Sequence, residues 1–163
     1  MTNLVSHAHI PQRDYHCVEK QLEPCGIVIF GASGDLTHRK LIPALLNIYQ
    51  RGLLADGSFV VGCGRTEMSD EQFRASLAKS LREFGFSDNG PISEMFLKRC
   101  HFIAGSYDDP DFYTRMSTRL VELENKYPTC GRRVFYLSIP PSLFPVVVDN
   151  LGAARLTTEN RAA

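Results

Sequence analysis

Apolar positions along the chain alternate between short continuous runs and spaced stripes. Ile27-Val28-Ile29-Phe30 is a run rich in β-branched side chains and ended by Gly31, the pattern of a strand buried on both faces of a parallel sheet. From Asp35 onward the period changes. Leu36, Leu41, Ile42, Leu45, Leu46 and Tyr49 recur at helical spacing and Gly52 follows as a stop, so a helix is predicted here. Pro43 lies inside it, where periodicity gives no account of a residue that removes a hydrogen bond and crowds the preceding turn. Phe59-Val60-Val61-Gly62-Cys63 predicts a second strand. Ser69 followed by Gln72 predicts a capping box at the head of a helix running through Phe73, Leu77, Leu81 and Phe84.

The alternation continues. Phe86 to Pro91 is turn-rich, Ile92 to Leu97 suits a short helix, and Cys100 to Ala104 reads as a third strand ended by Gly105. Asp109 and Pro110 supply a cap and a first-turn proline for a helix whose one apolar face carries Phe112, Met116, Leu120, Leu123 and Tyr127. Val134 to Ile139 predicts a fourth strand stopping at Pro140-Pro141, with a further short helix over Leu143 to Leu151. Strands alternating with helices predict an α/β fold: a doubly wound, Rossmann-like parallel sheet with helices on both faces and right-handed crossovers. No further strand is readable from Gly152 to Ala163, so the doubly wound sheet is expected to be incomplete. Residues 1–23 show no periodicity and are expected to form a flexible leader, with the domain over 24–163.

A length of 163 residues, 44% hydrophobic and 22% charged, fits one soluble globular domain. Eighteen basic and eighteen acidic residues cancel, so no net field favours nucleic acid or an anionic membrane, and a charged ligand must be recognised locally. The first residues lack the apolar stretch of a secretory signal, and no apolar run approaches the roughly 20 residues that cross a bilayer; a cytoplasmic location without membrane partners is expected. Cys17, Cys25, Cys63, Cys100 and Cys130 are odd in number and contain no Cys-x-x-Cys pair, which argues against disulfides and zinc. Cys63 and Cys100 are read as small buried hydrophobes. His101 beside Cys100 makes a poor chelate, because neighbours on a strand point to opposite faces, and no metal site is assigned.

The candidate chemistry lies where the first strand hands over to the first helix, at Ile29-Phe30-Gly31-Ala32-Ser33-Gly34-Asp35-Leu36. Glycines there let the backbone turn sharply and approach a pyrophosphate, and free amides at the helix start face its negative charge. The spacing departs from Gly-x-Gly-x-x-Gly, with Ile29 in the place of the first glycine. It resembles instead the Gly-x-x-Gly-Asp-Leu turn of the glucose-6-phosphate dehydrogenase family. The resemblance continues through His38-Arg39-Lys40-Leu41-Ile42-Pro43-Ala44-Leu45, proline included. It recurs at Val60-Val61-Gly62-Cys63-Gly64-Arg65, at Gly105-Ser106-Tyr107-Asp108-Asp109, and at Phe135-Tyr136-Leu137-Ser138-Ile139-Pro140-Pro141-Ser142. Together these segments span about residues 25 to 160.

The resemblance implies that Gly31, Ala32, Ser33, Gly34, Asp35 and Leu36 bind a nicotinamide dinucleotide. Arg65 follows the second strand, where an NAD enzyme usually carries an acidic residue for the ribose. A guanidinium there suits a 2′-phosphate, with the Ser33 hydroxyl as a further donor, so NADP is the expected cofactor; Glu67 keeps a ribose contact open. Ser106 and Tyr107 after the third strand and Pro140 after the fourth fall at the carboxyl edge, where ligands bind in open parallel sheets. For Tyr107 and Pro140, loop packing is the alternative. The resemblance directs Lys40 toward the substrate, glucose 6-phosphate, while His38 and Arg39 read as an exposed helical face.

In that family the sugar is oxidised at C1 to 6-phosphogluconolactone, with hydride passing to NADP. The base is a histidine in an Arg-x-Asp-His-Tyr-x-Gly-Lys segment, and a Glu-Lys-Pro segment supplies a lysine. Neither segment occurs in this sequence; no catalytic residue is therefore assigned, and the chain alone is expected to be inactive. The larger domain that builds the sugar-phosphate pocket and the dimer interface also lies outside it, so a homo-oligomer is expected only with that domain. Two other readings stand beside this one. A non-catalytic nucleotide-binding module would share the turn. An atypical short-chain dehydrogenase-like protein would share Gly-Ala-Ser-Gly, but it calls for a further glycine near Thr37 and a Tyr-x-x-x-Lys pair, and both are missing.

Overall fold

The computed structural model describes residues 22–86 and 90–157, so the leader expected over residues 1–23 lies outside them except for its last two positions. Four strands, β1 (Gly26–Phe30), β2 (Phe59–Gly64), β3 (Cys100–Ala104) and β4 (Arg133–Leu137), form one parallel sheet in the order β3-β2-β1-β4. The chain winds outward from β1 through β2 to β3, then returns to the other side of β1. That reversal between β1 and β4 opens a crevice beyond the strand ends. Ile139, expected as the end of the fourth strand, lies past it, although the Ser138 amide still donates to Phe30 O at 2.9 Å.

Five helices cover the sheet: α1 (Ile42–Gln50), α2 (Asp70–Glu83), α3 (Pro91–Leu97), α4 (Pro110–Lys126) and α5 (Phe144–Ala153). Alternation along β1 sends Val28 and Phe30 into one core with Phe112, Met116 and Leu120 of α4 and Val147 of α5. It sends Ile29 into the other, with Leu46 of α1, Phe73 and Leu77 of α2 and Phe96 of α3. Each such side chain contributes about 1.5–3 kcal/mol by leaving water, and the two layers fix the sheet from both sides. Cys63 and Cys100 are buried among them, and burial pushes both thiols far above their ordinary range; they are packing residues, as the sequence suggests.

Local signals set the helix ends. Ser69 and Gln72 form the reciprocal cap, with Gln72 N donating to Ser69 Oγ at 3.2 Å and Ser69 N to Gln72 Oε1 at 2.8 Å. Asp109 caps α4 by accepting from Asp111 N at 3.0 Å. Phe84 does not join the buried stripe of α2: it follows the last helical residue and lies in the open, its ring 5.6 Å from the Arg39 guanidinium. The final helix begins with a tight turn at Pro141–Leu143 before α5.

Pro43 finds its explanation in the backbone ahead of it. Residues Thr37–Leu41 form a widened π turn, closed by Ile42 N–H bonding to Thr37 O. The wide turn relieves the crowding that a proline ring imposes on a regular helix, and Pro43 then sits in the first turn of α1, where an amide has no intrahelical partner.

The two sheet edges are treated differently. On β3 two outward backbone groups are taken by α2: Phe102 N donates to Asp70 Oδ1 at 2.8 Å and Arg74 Nε to Cys100 O at 2.8 Å. Asp70 also binds His101 Nδ1 at 2.7 Å and Arg119 Nη2 at 3.0 Å. With those two groups occupied, the β3 edge is a poorer template for another strand. On β4 one face packs through Phe135 and Leu137, while Val134 and Tyr136 on the other face are 49% and 44% exposed.

Candidate nucleotide site

A cleft of about 570 Å³ opens at the carboxyl ends of the strands. Its floor is the Gly31–Gly34 turn, and its walls come from the loops after β2, β3 and β4, at Arg65, Tyr107 and Pro140. A second recess of about 370 Å³ lies on the β4 side of the same turn, bounded by Asp35, Leu36 and Leu137. Gly34, Ser138, Ile139 and Pro140 line both. The two recesses thus flank the turn at the point where the strand order reverses.

Gly31 is required on steric grounds. Its φ is +82°, and a side chain there would collide with the Ser138 carbonyl. The amides freed by these glycines, expected to face a ligand, are instead consumed by the turn. Gly31 N and Ala32 N donate to Cys63 O at 3.0 and 2.9 Å, and Gly34 N donates to Gly31 O at 3.0 Å. The reason is proximity: β1 and β2 end side by side, and the β2 carbonyl is nearer than solvent. The first intrahelical bond is His38 N to Gly34 O, so the amides just before it, at Asp35 and Leu36, remain as the helix-start donors, with the positive end of the helix dipole behind them.

Thr37, which the sequence marks only as a place where a further glycine is missing, anchors the turn. It is fully buried and its hydroxyl donates to Gly31 O at 3.0 Å, filling the second lone pair of that carbonyl. A hydroxyl six residues after the turning glycine was a readable signal only once the turn was known to fold back on the helix. Ser138 and Ile139 were also missed; their place follows from the register, because Phe30 pairs with Leu137 and sets the next residues against Gly31.

Ser33, Gly34 and Arg65 line the larger recess together. Arg65 is exposed and makes no ion pair with any described residue. Glu67 is exposed and lines neither recess. Gly64 leaves room for the Ser33 side chain, since a Cβ there would meet Ser33 Oγ at 3.2 Å. Ser106 lines the far wall and its hydroxyl bonds Asp108, whose carboxyl that hydrogen bond holds below the ordinary value.

Other expected residues fall differently. Ala32 packs its methyl into the α1–α2 core. Asp35 bonds Arg39, one turn on, at 3.3 Å. Lys40 is exposed on the π turn and lines neither recess. Arg39 is exposed as expected, but His38 is not: it is half-buried, with Nδ1 2.8 Å from Ser80 Oγ of α2, and burial lowers its pKa. Among the described residues no cluster of three potential metal ligands occurs, and no helix is long and apolar enough to cross a membrane.

Residues 28–163 match the family model "Glucose-6-phosphate dehydrogenase, NAD binding domain". The chain is 42% identical over 139 residues to the glucose-6-phosphate 1-dehydrogenase of Aggregatibacter actinomycetemcomitans, covering 85% of this chain and 28% of that protein. It is 38% identical to the enzyme of Chlamydia pneumoniae, again over 85% of this chain and 27% of the relative. A solved glucose-6-phosphate dehydrogenase in complex with its substrate glucose-6-phosphate superposes with a TM-score of 0.75 at 33% identity, over 86% of this chain and 29% of that one. The chain therefore spans under a third of the length of these relatives.

Proposed function

The chain belongs to the glucose-6-phosphate dehydrogenase family through its NAD-binding domain, and from that premise we propose that it binds NADP for the oxidation of glucose 6-phosphate to 6-phosphogluconolactone. The observation that carries the choice of nucleotide is Arg65, a cation on the cleft wall with no described anionic partner, beside Ser33. A 2′-phosphate satisfies that charge with paired hydrogen bonds, whereas a plain ribose leaves it idle.

The residues present fit the dinucleotide. Gly31 and Gly34 keep side chains off the floor of the cleft, and a Cβ on Gly34 would stand 3.1 Å from Gly31 O. The helix-start amides of Asp35 and Leu36 would hold the pyrophosphate. Arg65, Ser33 and Ser106, which line the larger recess, would hold the adenosine end, and Leu36 and Pro140, which line the other, would hold the nicotinamide end. A dinucleotide held there would supply the hydride acceptor for oxidation of the sugar. The part played by this chain is to bind and orient: Leu36, Ile139 and Pro140 present apolar surface that excludes water from the nicotinamide end.

Neither described histidine is available as a base for the sugar. His38 is engaged with Ser80, and His101 is buried on Asp70. Lys40, exposed on the π turn, is the candidate contact for the sugar phosphate. The test is glucose-6-phosphate-dependent reduction of nucleotide by the full-length protein. Reduction of NADP in preference to NAD is expected; no reduction of either would overturn the reading.

A further inference from the structure

The rim of the sheet holds a side chain, from the loop after β3, that bonds the ends of two other strands. Tyr107, just after β3, is 8% exposed. Its hydroxyl donates to Cys63 O of β2 at 3.0 Å and accepts from Gly31 N, after β1, at 2.8 Å. Burial raises its pKa, so the phenol keeps its proton and can serve both bonds at once. Its ring packs against Phe30, centroids 5.3 Å apart. Its own carbonyl is held twice, by Tyr113 Oη of α4 at 2.8 Å and by Asn150 Nδ2 of α5 at 3.3 Å.

We propose that Tyr107 is a positioning residue for the dinucleotide: its hydroxyl locks the Gly31 turn at the height from which the helix start meets the pyrophosphate. The inference rests on the nucleotide reading above. A side chain serving only as loop packing needs the ring alone. Here the hydroxyl shares the Gly31 amide with Cys63 O, which that amide meets at 3.0 Å, and itself donates to the same carbonyl, so it ties both sides of the turn where the left-handed Gly31 backbone runs against the Ser138 carbonyl. The carbonyl bonds from Tyr113 and Asn150 hold the clamp from behind, so the turn is braced against α4 and α5 as well as against the sheet.

Because the turn faces the part of the ligand common to both nucleotides, loss of the clamp weakens NADP and NAD alike. That separates it from Arg65, whose loss acts on NADP only. The experiment is titration of full-length wild type, Tyr107→Phe and Asn150→Ala with NADP and NAD, with melting temperatures measured free of nucleotide. Tyr107→Phe keeps the ring, so the expected result is a melting temperature within a few degrees of wild type. Affinity for both nucleotides should fall about tenfold, the equivalent of one hydrogen bond. Asn150→Ala, which removes one of the two bonds to the Tyr107 carbonyl and leaves that from Tyr113, gives a smaller fall in the same direction; it carries the test should Tyr107→Phe fail to fold. Unchanged affinities in a folded Tyr107→Phe, or in Asn150→Ala when that variant carries the test, overturn the proposal, as does a loss confined to NADP. Failure of the wild type to bind either nucleotide overturns the functional reading beneath it.

Discussion

The carbonyl oxygen of Ser138 occupies the space that any side chain on residue 31 would need. The two residues, 107 positions apart in the chain, each follow one of two strands that pair in the sheet, Phe30 opposite Leu137. The closeness of the two backbones shapes the floor of the cleft, and glycine is the residue that permits it.

Gly31→Ala is therefore expected to be costly. The left-handed backbone alone penalises alanine by about 1–2 kcal/mol, and the collision with Ser138 adds to it. Denaturant unfolding should show a loss above that figure, and nucleotide binding should vanish even where the protein remains folded.

Thr37→Val tests the turn from the other side. The hydroxyl is fully buried and its acceptor, Gly31 O, keeps only the Gly34 amide once it is gone. Loss of about 1 kcal/mol of stability is expected, with weaker binding of both nucleotides. Thr37→Ser, which keeps the hydroxyl, should bind nucleotide as wild type does.

Much of this architecture is legible in the sequence, and the reasons for the rest are physical. Strands and helices follow from local period, and the Ser69–Gln72 and Asp109–Pro110 caps are local chemistry, so both appear where expected. The destination of a backbone amide is not local. Gly31 and Ala32 donate to Cys63, more than thirty residues on, and no periodicity reveals that partner. His38 is the same case: its stripe position reads as exposed, but Ser80 on a neighbouring helix covers it. Pro43 was unreadable because a π turn leaves the apolar spacing nearly unchanged while altering the hydrogen bonding beneath it.

Acid should weaken the fold through the β3 edge. Burial opposes the charge on Asp70, but hydrogen bonds from His101 and the Phe102 amide, with Arg119 nearby, hold its carboxyl below the ordinary value. Its contribution is present above the unfolded value and is lost as pH falls through the folded one. Burial also lowers the pKa of His101, against the pull of Asp70, and that of His38. The unfolded chain then takes up these protons first, so stability should begin to decline below about pH 6.5. Urea midpoints measured down the pH scale check this, and His101→Gln should remove part of the decline. Asp70→Ala, which strands the Phe102 amide, should cost about 1–3 kcal/mol at neutral pH.

In the proposed function, a dinucleotide sits over the Gly31 turn with its 2′-phosphate against Arg65. Equilibrium titration of the full-length protein and its Arg65→Ala variant with NADP and NAD tests it most directly. Wild type should prefer NADP, and the variant should lose about tenfold to a hundredfold in NADP affinity, the worth of charge-assisted hydrogen bonds, with NAD affinity unchanged. Equal binding of the two nucleotides by wild type, or an Arg65→Ala variant that keeps the preference, would contradict it.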